Sequence, residues 1–213
     1  MLERVTLQGP NVALSPLEQA HVPGLVQAAQ ENRAPYRYLA VPSDAASMQA
    51  YVDAAETARA AGSALPFAIV ERESGRVLGA TRFRDIEHWP WPADHPLRRV
   101  RETPDVVEIG GTWLAASALG RGIHRESSSL LLTYAFEAWR VRRVALRCDA
   151  RDERARRAIE KLGVRFDGVL RAACIAADGA VLDVATYSVL DMEWRSVRAG
   201  LARSAEPSHA PAR

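Results

Sequence analysis

Residues 106–150 carry the feature that most restricts the fold. An apolar strand, "VVEIGGTWLAA", enters a short loop bearing Gly120 and Gly122, then an apolar helix, then a second strand, "VRRVALRCDA". A chain that leaves a sheet through a helix and returns to it cannot be built from hairpins alone. On either side the pattern differs. "LPFAIVERESGRVLGATRFRDI" is two strands turning at Ser74–Gly75, an antiparallel hairpin. "DERARRAIEKLG" places Ala155, Ala158, Ile159 and Leu162 at helical spacing, closed by Gly163, and a second hairpin turns around Asp178–Gly179.

The N-terminal part adds a strand in residues 11–17, a helix from about Leu17 to Asn32, and a helix after Ser43 or Asp44 that Gly62 stops. A closing helix begins at "DMEWRSVRAGLAR". The order β-α-α-β-β-β-α-β-α-β-β-α predicts an α/β (α+β) fold: a mixed, mostly antiparallel seven-stranded sheet with helices on both faces. One domain over residues 1–203 and a disordered tail over 204–213 are expected.

Composition narrows the function classes. The net charge of +2 gives no basis for a nucleic-acid surface, and no apolar run approaches a membrane span. The N-terminus lacks the pattern of a signal peptide, so a cytoplasmic location is expected. Cys148 and Cys174 read as buried reduced thiols, and the five histidines form no HxxxH pair, so no metal is expected. Tyr187 and Trp194 read as core residues.

Four places could carry chemistry. The loop "ALGRGIHRE" feeds a helix whose first amide N–H groups lack partners, and such a terminus favours an anion. Gly120 and Gly122 let a ligand approach the backbone, with Arg121 and Arg125 at the rim. The same pattern also suits a plain helix start. Glu108, between Val107 and Ile109, faces away from both by strand alternation. It can act as a proton acceptor, or it can pair with Arg82 or Arg84 across the sheet. Asp152 suits a helix N-cap. The long loop from Glu87 to Asp105 holds His88, Trp89, Trp91 and His95, either as a cover packed on the domain or as a wall of an acceptor pocket.

The blocks "RVLGATRFRDI", "VEIGGTWL", "LGRGIHRESSSLLLTYAFE", "RCDARDERARRAIEKLGVRFDGVLR" and "YSVLDMEW", in this order and spacing, resemble the GCN5-related N-acetyltransferases (GNAT), nearest the RimJ/RimL type. The resemblance runs from about Val12 to Leu201. It implies an acetyl-coenzyme A-dependent N-acetyltransferase that acts on a primary amine, a protein N-terminus or a small molecule, by direct attack in a ternary complex. It places the pyrophosphate on Leu119, Gly120, Arg121, Gly122, Ile123 and His124, beside the rim charge of Arg125. It puts the pantetheine arm on Trp113, Leu114 and Ala115, and a coenzyme contact at Asp152. Glu108 takes the place of the family's glutamate near the nucleophile. Arg82, Arg84, Trp89 and Trp91 are the acceptor-site candidates. Leu119 and His124 depart from the family's Q/R-x-x-G-x-G/A loop, and Ala155 stands where the family has a serine able to protonate the leaving thiolate. These departures feed the alternative of a non-catalytic coenzyme A-binding protein that keeps the fold. A homodimer is left open, and neither nucleic acid nor membrane is an expected partner.

Overall fold

The computed structural model describes residues 2–96, 98, 103–176 and 179–203. The expected C-terminal tail and Asp178 of the second hairpin turn lie outside them. Eight strands form one sheet: β1 (Leu7–Gln8), β2 (Val12–Pro16), β3 (Leu65–Glu71), β4 (Val77–Glu87), β5 (Val106–Leu114), β6 (Arg143–Asp149), β7 (Arg165–Ile175) and β8 (Val181–Leu190). Their spatial order is β1-β2-β3-β4-β5-β6-β8-β7. All pairs are antiparallel except β5–β6. The expected seven strands are present, and the eighth is the two-residue edge β1, too short to leave a periodic signal.

Five helices, α1 (Val22–Gln30), α2 (Ala45–Ala60), α3 (Ile123–Thr133), α4 (Glu153–Glu160) and α5 (Trp194–Arg203), cover the sheet. Local chemistry sets their ends. Asp44 caps α2 by accepting from Ser47 N–H at 2.9 Å, and Gly62 leaves it at φ +77°. The expected first helix is shorter, because a single 3-10 turn at Gln19–His21 precedes α1. α3 widens into a π-helical turn over Tyr134–Trp139.

The core lies between helices and sheet. Phe67, Phe83, Val107, Leu146 and Tyr187 of the strands meet Leu25, Met48, Leu131 and Leu132 of the helices. Tyr187 and Trp194 are buried, as expected. The two cysteines are not: Cys148 is half-buried, and Cys174 is exposed on the edge strand β7, which presents almost no buried face. Their apolar neighbours along the chain suggested burial, but β7 pairs only with β8 and its side chains are almost all exposed.

Candidate functional site

The parallel pairing of β5 and β6 runs only from Val106↔Arg143 to Ile109↔Leu146. β5 then continues to Leu114 and β6 to Asp149 without meeting. An extra residue on β5 accompanies the parting. Ala80 pairs with Trp113 and Arg82 with Gly110, so two steps along β4 face three along β5. Gly111, at φ +59°, takes up this bulge. Such a bulge bends and twists its strand. Between the diverging strands opens a cleft of about 820 Å³, floored by Gly110, Gly111, Leu146, Arg147 and Cys148. Tyr36 and Tyr38 from the α1–α2 connection, the start of α3 and the start of α4 form its walls.

The expected pantetheine segment reaches this cleft unevenly. Ala115 N–H is engaged by Leu78 O at 2.7 Å, toward β4. Leu114 C=O accepts from Tyr36 O–H at 2.8 Å. Successive residues of an antiparallel strand send their backbone groups to opposite edges, so Leu114, not Trp113 or Ala115, offers its N–H to the cleft. Trp113 contributes its ring, edge-on to Tyr36, and its buried Nε1 has no hydrogen-bond partner.

At the cleft's far end Gly120 and Gly122 adopt φ +76° and +79°, and nothing lies within 4 Å of where either Cβ would stand. Gly122 is the N-cap of α3 and supplies no side chain to the first amides, so the N–H groups there face an open cradle. The loop is held from outside. Glu31 accepts from Ser117 N–H at 2.9 Å, and Arg121 pairs with Glu71 at 2.7 Å. That pair directs Arg121 away from the cleft, whereas Arg125 lines it with Leu119, Ile123 and His124. His124 does not fill the cradle. It packs into the wall, where burial pushes its imidazole down to about 4, so it is neutral at physiological pH. Glu126, one turn on from Gly122, anchors α3 by accepting from Asn11 N–H and Nδ2–H, both at 2.8 Å, and Val12 N–H at 2.9 Å.

Asp152 lines the cleft with its carboxylate turned to Ala155 N–H at 2.9 Å, the N-cap that its position suggested. Ala155 also lines the cleft and has no proton to give. Hydroxyls on the lining belong to Tyr36, already bonded to Leu114 C=O, and to Tyr38, Thr112 and Ser128. Arg154, Arg157, Lys161 and Arg125 set positive charge around the opening. The Cys148 thiol is pushed up to about 12, chiefly by burial, so it is not a thiolate.

Glu108 is 1% exposed and sits directly opposite Arg84 on β4. Arg84 Nε–H donates to Oε1 at 2.7 Å. Arg147 Nη1 stands 3.0 Å from Oε2, an ion-pair contact without hydrogen-bond alignment, so Oε2 keeps an unused lone pair. Arg147 also reaches Asp85 at 3.1 Å. Burial raises the Glu108 carboxyl even against the pull of both arginines. Gly110 makes the seat: a Cβ there would stand 2.6 Å from both Arg84 Nε and Glu108 Oε1. Glu108 borders the cleft through Arg147 and Gly110 rather than lining it.

Arg82 lies beside cleft-lining Gly111 but does not itself line the cleft. Trp89 and Trp91 lie away from it. Trp89 N–H and Trp91 Nε1–H both donate to buried Asp105 at 2.8 Å, which pins the long loop to the start of β5. Tyr36, Tyr38 and Arg147 are cleft residues that sequence reasoning did not single out. The tyrosines fall in a loop with two prolines and no periodic signal, and Arg147 is one arginine among many. No group of three or more His, Cys, Asp or Glu among the described residues is placed to hold a metal ion, and no helix among them is long and apolar enough to cross a membrane.

Comparisons with known proteins agree with this architecture. Residues 11–165 match the family model described as the acetyltransferase (GNAT) domain. YdaF of Bacillus subtilis (strain 168), provisionally named a ribosomal N-acetyltransferase, is 31% identical over 100 residues, 47% of this chain and 52% of YdaF, so the match spans about half of that relative. A crystal structure of a GCN5-related N-acetyltransferase from Brucella melitensis superposes with a TM-score of 0.81 at 26% identity, covering 97% of this chain and 87% of that one. The fold is shared with RimL, a ribosomal L7/L12 alpha-N-protein acetyltransferase solved in complex with coenzyme A, at a TM-score of 0.69 and 19% identity, over 87% of this chain and 98% of that one.

Proposed function

The chain belongs to the acetyltransferase (GNAT) domain family, and on that premise we propose that it moves an acetyl group from acetyl-coenzyme A to a primary amine. One observation carries the reading: the cleft between the parted ends of β5 and β6 runs to the open, glycine-flanked N-terminus of α3. A long, bent ligand with an anionic pyrophosphate suits such a cleft. The amides after Gly122 would hold the pyrophosphate, with Gly120 leaving the approach clear. Leu114 N–H would pair with the amide-bearing arm. The cations around the mouth, Arg125 among them, suit the remaining phosphate charge. Asp152, already bound to Ala155 N–H, would shape the wall there rather than donate.

When bound, the coenzyme supplies an activated acetyl thioester. The chain's own residues then arrange a direct transfer, in which the amine's C–N bond forms as the C–S bond breaks. Burial holds the Cys148 thiol in its protonated form, which argues against it as an intermediate acceptor. Glu108 accepts the amine proton through a water admitted beside Arg147, whose partly exposed side chain covers the buried, unbonded Oε2. Its raised pKa suits that task. Leaving sulfur can be protonated from a cleft hydroxyl, for which Tyr38, flanked by the guanidinium of Arg151 at 5.1 Å from its ring, is the candidate. The acceptor is a protein N-terminus, by analogy with what the names of RimL and YdaF describe, or a smaller amine.

Thiol release from acetyl-coenzyme A against a panel of peptide and small amines tests the reading, with calorimetry for coenzyme A binding alongside. Amine-dependent turnover above hydrolysis supports it. Tight coenzyme A binding with no turnover on any amine would instead favour a non-catalytic binder.

A further inference from the structure

Three guanidinium groups, Arg82, Arg84 and Arg147, gather on one face of the sheet where β5 and β6 begin to part. Arg82 and Arg84 are two residues apart on β4, opposite Gly110 and Glu108 of β5, and Arg147 reaches Glu108 from β6. Two carboxylates answer them. Glu108 takes Arg84 and Arg147, and Asp85 takes Arg147. Three cations against two anions leave one positive charge, and its bearer is identifiable. Arg82 makes no ion pair or side-chain hydrogen bond among the described residues, and its Nε–H is buried without a partner. Its guanidinium lies over Gly111, where a Cβ would stand 2.8 Å from Nε and 3.1 Å from Nη2.

A buried guanidinium donor without an acceptor is costly, and folded proteins almost always supply one. Here the described residues supply none: Nε–H is shielded against Gly111, and the Nη groups, which are not buried, are the part of Arg82 that a ligand can reach. The outer Nη1/Nη2 edge of a guanidinium matches a carboxylate with two parallel hydrogen bonds, which a lysine in the same place could not make. Resting on the acetyl-transfer reading above, we propose that the acceptor amine carries a carboxylate a few bonds from its nitrogen, and that Arg82, one bulge from Glu108, receives it. Arg82 is then a specificity-determining residue. Carboxylate recognition at that point would also orient the amine toward the unused oxygen of Glu108. The carboxylate can come from an acidic side chain next to a peptide N-terminus or from a free amino acid-like amine, since both present the same group.

Matched acid and amide pairs test this. For the peptide source the pair is Ser-Asp-amide against Ser-Asn-amide, and for the small-molecule source 4-aminobutyrate against 4-aminobutyramide. In the wild-type protein, kcat/KM for the acid of at least one pair should exceed that for its amide by about tenfold, mostly through KM, and the gap should narrow at high salt. In Arg82→Gln the gap should close to about twofold or less, while Arg82→Lys keeps part of it. Acid and amide within about twofold in both pairs for the wild type overturns the proposal, as does a preference that survives Arg82→Gln. Binding of the corresponding N-acetylated products to the coenzyme A-loaded protein, measured by calorimetry, needs no turnover. If no amine is acetylated yet the acid product binds about tenfold tighter than the amide, the acetyl-transfer reading fails and the anion site stands. If no amine is acetylated and the two products bind alike, the anion site fails as well.

Discussion

Arg84 Nε–H donates to Glu108 Oε1 at 2.7 Å from the position directly across the β4–β5 ladder, and the Glu108 side chain is 1% exposed. The carboxylate is thus held on one side by a strand neighbour and covered on the other by Arg147, which approaches Oε2 off line and leaves it without a hydrogen bond. A buried charge in this position tolerates loss of its own ionisation better than loss of its partner, because an unpaired buried charge is the costlier state. Arg84→Gln should therefore destabilise by about 3 kcal/mol, more than Glu108→Gln does, by denaturant titration.

Glu108→Gln should lower kcat by about 10²-fold or more with little change in coenzyme A affinity. Burial raises the Glu108 carboxyl, so the acid limb of the kcat–pH profile should lie above the ordinary carboxylate range. That limb should vanish in the variant. An unchanged rate would remove Glu108 from the proton path.

Gly110→Ala forces a methyl group to within 2.6 Å of Arg84 Nε and Glu108 Oε1. Arg84 can swing outward, since its side chain is 39% exposed, but Glu108 cannot. A loss of about 1–3 kcal/mol in stability is expected, together with a fall in kcat from the displaced carboxylate. Equal activity per folded molecule would mean that the carboxylate's position is not critical.

Glu126→Ala leaves three donors, Asn11 N–H and Nδ2–H and Val12 N–H, without their acceptor. The cost should be about 2–3 kcal/mol, seen as a lower melting temperature. Coenzyme affinity below the melting transition should change only slightly, because Glu126 faces β2 and not the cleft. A large affinity loss without a stability change would contradict this.

His124 titrates near 4 in the folded chain against an ordinary value of 6.5. Between those values the unfolded chain binds a proton that the folded chain refuses. Stability is therefore full well above pH 6.5 and falls as pH drops toward 4, by on the order of 3 kcal/mol. His124→Gln should flatten that part of the stability–pH curve. Because the imidazole is neutral at pH 7, the same variant should leave the salt dependence of coenzyme binding unchanged, as measured by calorimetry.

Much of this molecule was legible along the chain. Asp44, Gly62, Gly75, Asp152 and the strand–glycine–helix run from Val106 to Thr133 each act on residues a few positions away, so periodicity and cap chemistry find them. The order of elements, the crossover between β5 and β6 and the open glycines before α3 follow from such signals. What the chain alone left open was which side chains meet. The extra residue at Gly111 that accompanies the parting of β5 from β6 depends on the register between two strands. Arg84 finds Glu108 across 24 residues, Arg121 turns to Glu71 across 50, and Tyr36 reaches Leu114 across 78. These contacts settle which arginine is paired, which is free and which is turned away. Residues so far apart share no local pattern, and only the packed sheet brings them within hydrogen-bonding distance.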